Sequence, residues 1–492
     1  MESNIVEIST DEETGSREDG RFNSITRFNQ IAPTTTTRSC SLSILQLGTS
    51  LFALSSLDWL AILKVDAAQL NYRSRTVGSF AGRLATVLFF THLLAAVILI
   101  IYLAARGLPS RHPSFHQAYW FPPLLTSAAA SLPFAVLWLL IALRHPTKAL
   151  RAALWLAPIL SCGVAVLLLA DENGYSLAVA VLFLVLALVL SLYCCWITRR
   201  LHHAEEVLSA AGAAVRPTLA LAKYLGLALL AGVLYFFFWT LGAGGAAASA
   251  SRFVPLYAVL LLLNLAWTMQ ALRYTVHVAV ARTAYARLAS GAEAQPTAAI
   301  FDTAAARLVL GEVLYGAAVV PAAALARGAS QTMGQVVRDS DEFLFSCTIC
   351  FEGVAERMVA LGNRWGLVYV GAQGKGLGRS SVEVWELFAK QGMERLIELD
   401  LTGAFCFLCG VASGSVVAVA AGAWVLVSHR GHVADATAYA FFVGYFMTRI
   451  AMAWPQACVA AYHVVFAENP ANNEMGSCLR QRLTQLNSIS TR

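Results

Sequence analysis

The sequence predicts an all-α, polytopic membrane bundle of about ten crossing helices, and three observations predict it. First, 58% of the 492 residues are apolar and only 13% are charged, whereas soluble domains sit near ~45–50% and ~25%. Second, apolar runs of about 20 residues recur along the chain, the length a helix needs to cross a ~30 Å hydrocarbon core. Third, none of these runs alternates apolar with polar residues as the strands of a membrane barrel do. In water such a chain would leave large apolar patches uncovered. Secreted, fibrous and nucleic-acid-binding classes are excluded with the soluble ones. The net charge of +6 bears on orientation in the bilayer rather than on an acidic partner.

The elements follow in order. Residues 1–82 read as a cytosolic tail, with scattered acids (Glu2, Glu7, Asp11, Glu12, Glu13) and the Thr34–Thr37 tract giving way to an interfacial helix over Leu42–Val65, where a crossing is the alternative. No basic segment followed by an apolar core marks a signal peptide there. The membrane domain spans 83–467, with crossings at Leu84–Ala105, Tyr119–Leu143, Ala152–Ala170, Leu177–Trp196, Leu219–Leu241 and Phe253–Val276. Further crossings follow at Val309–Ala326, Leu401–Val427 and Tyr439–Phe466, and 468–492 is a cytosolic tail.

Phe343–Ala372 is apolar on average yet carries Glu352, Glu356, Arg357 and Arg364. Each charge at mid-bilayer costs ~2.5–3.5 kcal/mol, so the segment cannot face lipid unaided. It reads as a broken or re-entrant element. If it crosses, the loop Lys and Arg residues gather on one side. If it does not, they divide evenly. The positive-inside bias therefore selects a crossing, with both termini in the cytosol.

Catalytic patterns are absent: there is no metalloprotease or nucleophile-elbow motif, and Ser161 and Cys162 have no histidine near them in sequence. The pairs Cys347/Cys350 and Cys406/Cys409 have zinc-like spacing, but no ligand histidine accompanies them, and they read as packing residues. The sequence implies no metal, cofactor or catalytic residue. What remains is polar and aromatic residues inside spans, which face a bundle interior or a water-filled path. Trp267, Gln270 and Tyr274 share one helix face by their spacing, with Arg273 and His277 beside it. Tyr235 and Trp239 supply rings in the preceding span, and Glu312 and Tyr315 lie one turn apart in the next. Rings beside a buried carboxylate suit a quaternary ammonium ion, which donates no hydrogen bond and is held by ring quadrupoles and charge. The competing reading makes the rings interfacial belt residues and pairs Glu312 with Arg307 or another base.

The run Gly362, Asn363, Arg364, Trp365, then Tyr369, Gly374 and Lys375, continuing to Trp385 and Phe388, resembles the signature of the choline transporter-like family. The strings Gln270–Val278 and Leu310–Gly316 resemble its fungal and plant branch. Glu398–Asp400 and Ala467–Pro470 also fit, so the likeness runs from about Tyr235 to Pro470. Gln373 stands where the family turn carries Tyr, and Glu312 where a small residue is usual. The resemblance implies a polytopic carrier of choline or a related amino-alcohol such as ethanolamine, at the plasma membrane.

Together these readings give a secondary carrier alternating access around a midplane pocket. Trp267, Gln270 and Tyr274 would face Glu312 and Tyr315, with Tyr235 and Trp239 nearby. Asn363, Arg364, Trp365, Tyr369, Gly374 and Lys375 would form a gating or structural motif. The expected partners are a small organic cation and the lipid bilayer, with oligomeric state open. A non-transporting membrane organiser or lipid-handling protein of the same fold is the alternative.

Overall fold

The computed structural model describes residues 67–107, 117–171, 173–198, 201–214, 218–249, 253–290, 303–336, 342–428, 432–470 and 477–490. The chain divides into two units, Met1–Leu70 and Asn71–Arg492. Of the first, only Ala67–Leu70 is described, and the interfacial helix expected at Leu42–Val65 lies outside the described residues.

All described elements are helices: α1 (Ala67–Gly107), α2 (Gln117–Arg144), α3 (Pro146–Leu169), α4 (Gly174–Ile197), α5 (Leu201–Ala214), α6 (Leu219–Ala248), α7 (Val254–Ser290) and α8 (Thr303–Val336). Then come α9 (Glu342–Leu361), α10 (Gly366–Gln373), α11 (Leu377–Lys390), α12 (Glu394–Glu398), α13 (Thr402–Ser428), α14 (Val433–Ala451), α15 (Ala453–Glu468) and α16 (Ser477–Ser490). Among the described residues nine stretches are long and apolar enough to cross a membrane, and each overlaps one of the nine apolar crossings read from the sequence. The first helix starts at Ala67, upstream of the expected Leu84.

Burial sorts these helices into rim and centre. On α4, Leu177, Leu182, Leu188 and Leu192 are exposed, and α1, α3, α6 and α7 carry similar exposed apolar stripes, the surface a bilayer would cover. In contrast every residue of α15 from Ala453 to Ala467 is buried. The α14–α15 rod is the axis of the bundle and packs against α2, α7 and α13.

That axis is interrupted, although Tyr439–Phe466 reads as one continuous apolar run. Pro455 has no N–H to offer the Ala451 carbonyl, and a helix loses a rung there. Met452 closes α14 through its N–H to the Thr448 carbonyl at 2.9 Å, and its own carbonyl accepts from the Cys406 thiol at 3.4 Å. The second interruption, between α9 and α10, lies inside the expected broken element 343–372. Side chains at Cys347 and Cys350 lie outside the described residues, while Cys406 and Cys409 are buried and unbridged.

Small residues set how closely helices approach. A Cβ on Gly245 of α6 would collide with the Leu103 carbonyl of α1 and come within 2.7 Å of the Ala104 nitrogen. Backbone cannot swing aside as a side chain can, so overpacking there costs about 1–3 kcal/mol or more. Gly245→Val should lower the melting temperature and the monodisperse yield in detergent. Gly226→Val, on the same helix with open space around it, should change both little.

Candidate functional site

Helix α7 carries the residues that its periodicity puts on one face. Trp267 packs edge-on against Phe89 of α1, with centroids 5.4 Å apart, and lies 5.3 Å from the ring of His92. Its indole N–H points at the Leu314 carbonyl of α8, 3.5 Å away. Tyr274 is buried in the same cluster, and Tyr315 is packed against it. Glu312 is 7% exposed. Its Oε2 accepts from the Leu377 N–H at 2.7 Å, at the start of α11, where a carboxylate suits the positive end of the helix. Its Oε1 lies where a Cβ on Gly82 would come within 2.8 Å. Tyr315 sends its hydroxyl toward the Leu361 carbonyl at 3.5 Å. The structure thus brings Trp267, Tyr274, Glu312 and Tyr315 to one meeting of α1, α7, α8 and α11.

The other expected pocket residues lie elsewhere. Gln270 accepts from Arg273 at 3.0 Å. The Arg273 guanidinium sits 5.1 Å from the Tyr274 ring centroid, so one face of that ring already holds a cation. Tyr235 donates to Asn264, and the fully buried Trp239 donates to the Leu261 carbonyl at 2.9 Å and packs on Tyr439. Both belong to the large core around α6, α7 and α14, apart from the Glu312 cluster.

The motif at the α9–α10 break is a tight polar knot. Asn363 uses both ends of its side-chain amide: its Oδ1 accepts from the Gly366 N–H at 2.8 Å, and its Nδ2 donates to the carbonyls of Val359 and Ser381. Its own N–H reaches the Ser381 hydroxyl at 3.0 Å, tying the break to α11. Arg364 pairs with Asp400 and lies 4.3 Å over Trp365, which packs edge-on against Phe388. Tyr369 donates to Glu468 at 2.6 Å, and Tyr285 donates to the same carboxylate at about 3 Å, joining α10, α7 and the end of α15. Gly374 ends α10 at φ 65°, a left-handed turn that glycine adopts without strain. Lys375 reaches Glu383 at 2.5 Å and Arg379 reaches it at 2.6 Å. Partial burial pushes that carboxyl up, but the two cations outweigh it and hold Glu383 below the usual range.

Four glycines of α8 and α13 have close neighbours. A Cβ on Gly311 would press on the Gly82 carbonyl at 2.8 Å, on Gly316 on Leu377, on Gly403 on Arg364 and on Gly410 on Tyr445.

Sequence reasoning named Arg273 but missed its partner Gln456 and missed Arg449, both beside the break of the central rod. Arg273 also donates to Gln456 of α15 at 2.5 Å, and Arg449 stands in the last turn of α14 just before the break. A lone basic residue inside a long apolar run was the available signal for Arg449.

A family model described as plasma-membrane choline transporter matches residues 181–471. The match begins upstream of the Tyr235–Pro470 stretch that carries the resemblance and covers more than half of the chain. No curated protein matches the chain.

Proposed function

The chain belongs to the choline transporter-like family of multi-pass membrane transporters, and from that premise we propose that it carries choline or a related organic cation such as ethanolamine. Transport is by alternating access around the Trp267–Glu312 cluster. The observation that carries this reading is a buried carboxylate, Glu312, with one oxygen spent on Leu377, at a junction that also holds Trp267 and Tyr315. A quaternary ammonium is held by rings and a counter-charge rather than by hydrogen bonds. The remaining face of Tyr274 completes the cluster, while Gln270 is held by Arg273 outside it and Tyr235 and Trp239 belong to the separate core. The knot of Asn363, Arg364, Trp365, Tyr369, Gly374 and Lys375 acts as the gate, because it joins the two ends of a broken helix to α7, α11 and α15. The protein works at the plasma membrane with both termini in the cytosol, without a cofactor and without catalysing a reaction.

The test is labelled-choline uptake into proteoliposomes of the purified protein. Uptake should saturate and be competed by ethanolamine. A desolvated cation–π contact is worth ~2 kcal/mol, or about 30-fold in affinity, so Trp267→Leu should raise the half-saturating concentration by about that factor. Equal saturable flux in wild type and Trp267→Leu would place the pocket away from Trp267, and no saturable flux would mean that the fold serves a non-transporting membrane role.

A further inference from the structure

We propose that the break in the central rod is an anion site, in which Arg273 and Arg449 together hold a carboxylate or phosphate group. Arg273 is 5% exposed, and among the described residues its guanidinium donates to two neutral amides, Gln270 and Gln456. Arg449 lies one turn before the break. A Cβ on Gly410 would come within 3.1 Å of its Cδ, and the Tyr445 ring is 6.0 Å from its guanidinium carbon. Its Nε and Nη1 are shut off from solvent and have no hydrogen-bond partner. Arg273 bonds Gln456 just after the break and Arg449 stands just before it, so the two arginines flank the break from its two sides, and arginine keeps its proton at any physiological pH.

Three carboxylates of the polar sites described above are otherwise engaged. Asp400 holds Arg364 and the N–H and hydroxyl of Thr402, Glu468 holds Tyr285 and Tyr369, and Glu312 holds Leu377. Two arginines therefore flank the break, Arg273 buried and Arg449 partly buried, with amides and rings around them. Buried charges persist when they are paired, and what these two lack among the described residues is an acid. Unsatisfied guanidinium N–H groups match the oxygens of a carboxylate or phosphate. A broken helix within the bundle is also where carriers place ion and substrate sites.

The anion has two sources with one chemistry: a free inorganic anion, or the acidic group of a zwitterion whose ammonium reaches the Trp267–Glu312 cluster. Arg273 against Tyr274 makes the two sites neighbours. Only the second source rests on the transport reading given above.

The experiment follows the melting temperature of the purified full-length protein in neutral detergent, at constant ionic strength in HEPES. It is titrated with inorganic phosphate, with phosphocholine and with choline alone. Wild type should show a saturable rise of about 2–3 °C at roughly 100-fold excess over the dissociation constant with one or both phosphate probes. Arg449→Gln and Arg273→Gln should lose it. Should either glutamine variant fail to fold, equilibrium dialysis of labelled phosphate and labelled phosphocholine against Arg449→Lys should show binding about 10-fold weaker, because one ammonium replaces the guanidinium donors. A rise with inorganic phosphate supports the site and assigns it to a free anion. A rise with phosphocholine alone supports it and assigns it to the substrate's own acid. No saturable rise with either, or equal binding in wild type and the Arg449 variants, overturns it. Choline uptake that stays intact in that event leaves the transport reading standing.

Discussion

Glu312→Gln protein reconstituted into liposomes should take up labelled choline at least about 30-fold less efficiently than wild type, while remaining as well folded. The two halves of this expectation come from the two jobs of one carboxylate. Glutamine keeps an amide oxygen that can accept from the Leu377 N–H, so the start of α11 stays anchored. It carries no charge, so a cation entering the cluster finds rings but no counter-ion. Losing one partner of a desolvated charge pair costs about 2–5 kcal/mol, and the lower end already corresponds to roughly 30-fold. The structural loss is smaller, because exchanging a charged for a neutral acceptor costs about 1 kcal/mol.

Glu312→Ala is the control that separates the two jobs. It removes the anchor and the charge, so melting temperature and uptake should fall together. Should Glu312→Gln transport normally while Glu312→Ala unfolds, the carboxylate would be a helix anchor alone, and the pocket would have to be sought away from α8.

The spans were legible in the sequence because a lipid-facing helix has to be apolar for about 20 residues, and little else in a chain produces such runs. The break near residue 363 was legible for the converse reason: Glu352, Glu356 and Arg364 cannot sit against acyl chains in an unbroken span. The break at Met452 was not read, although Pro455 was in view, because both halves are apolar and the run shows no dip in hydropathy. At the candidate site, helical spacing placed Trp267 and Tyr274 on one face, which local periodicity can do. It could not find the partners. Glu312 meets Leu377 across 65 positions and Arg273 meets Gln456 across 183, and no local pattern encodes such pairings. Tyr235 and Trp239 were grouped with the pocket on residue type alone, and packing of α6 against α7 draws them into a separate core.

The largest stability effect should come from the Arg364–Asp400 pair, where single substitutions harm the protein more than the double one does. Both side chains are mostly buried, at 17% and 6% exposure. Asp400 also accepts from the Thr402 N–H at 2.9 Å and from its hydroxyl at 2.6 Å, which fixes the start of α13. Asp400→Asn keeps an oxygen for Thr402 but leaves the Arg364 guanidinium uncompensated beside Trp365. Arg364→Met removes the cation and leaves Asp400 as an unpaired buried anion. Each should cost about 3–5 kcal/mol, enough to remove most of the monodisperse protein from a detergent extract. With both changes together no charge is stranded, and an apolar–amide pair of similar volume is expected to be far less harmful than the sum of the singles. A double-mutant cycle on the melting temperature, with size-exclusion profiles as a check on folding, reads that coupling directly. Additive losses would mean that the two residues matter through separate contacts, Arg364 through its stacking on Trp365 and Asp400 through its cap on α13. In that case the ion pair would not be what closes the α9–α10 break onto the central helices.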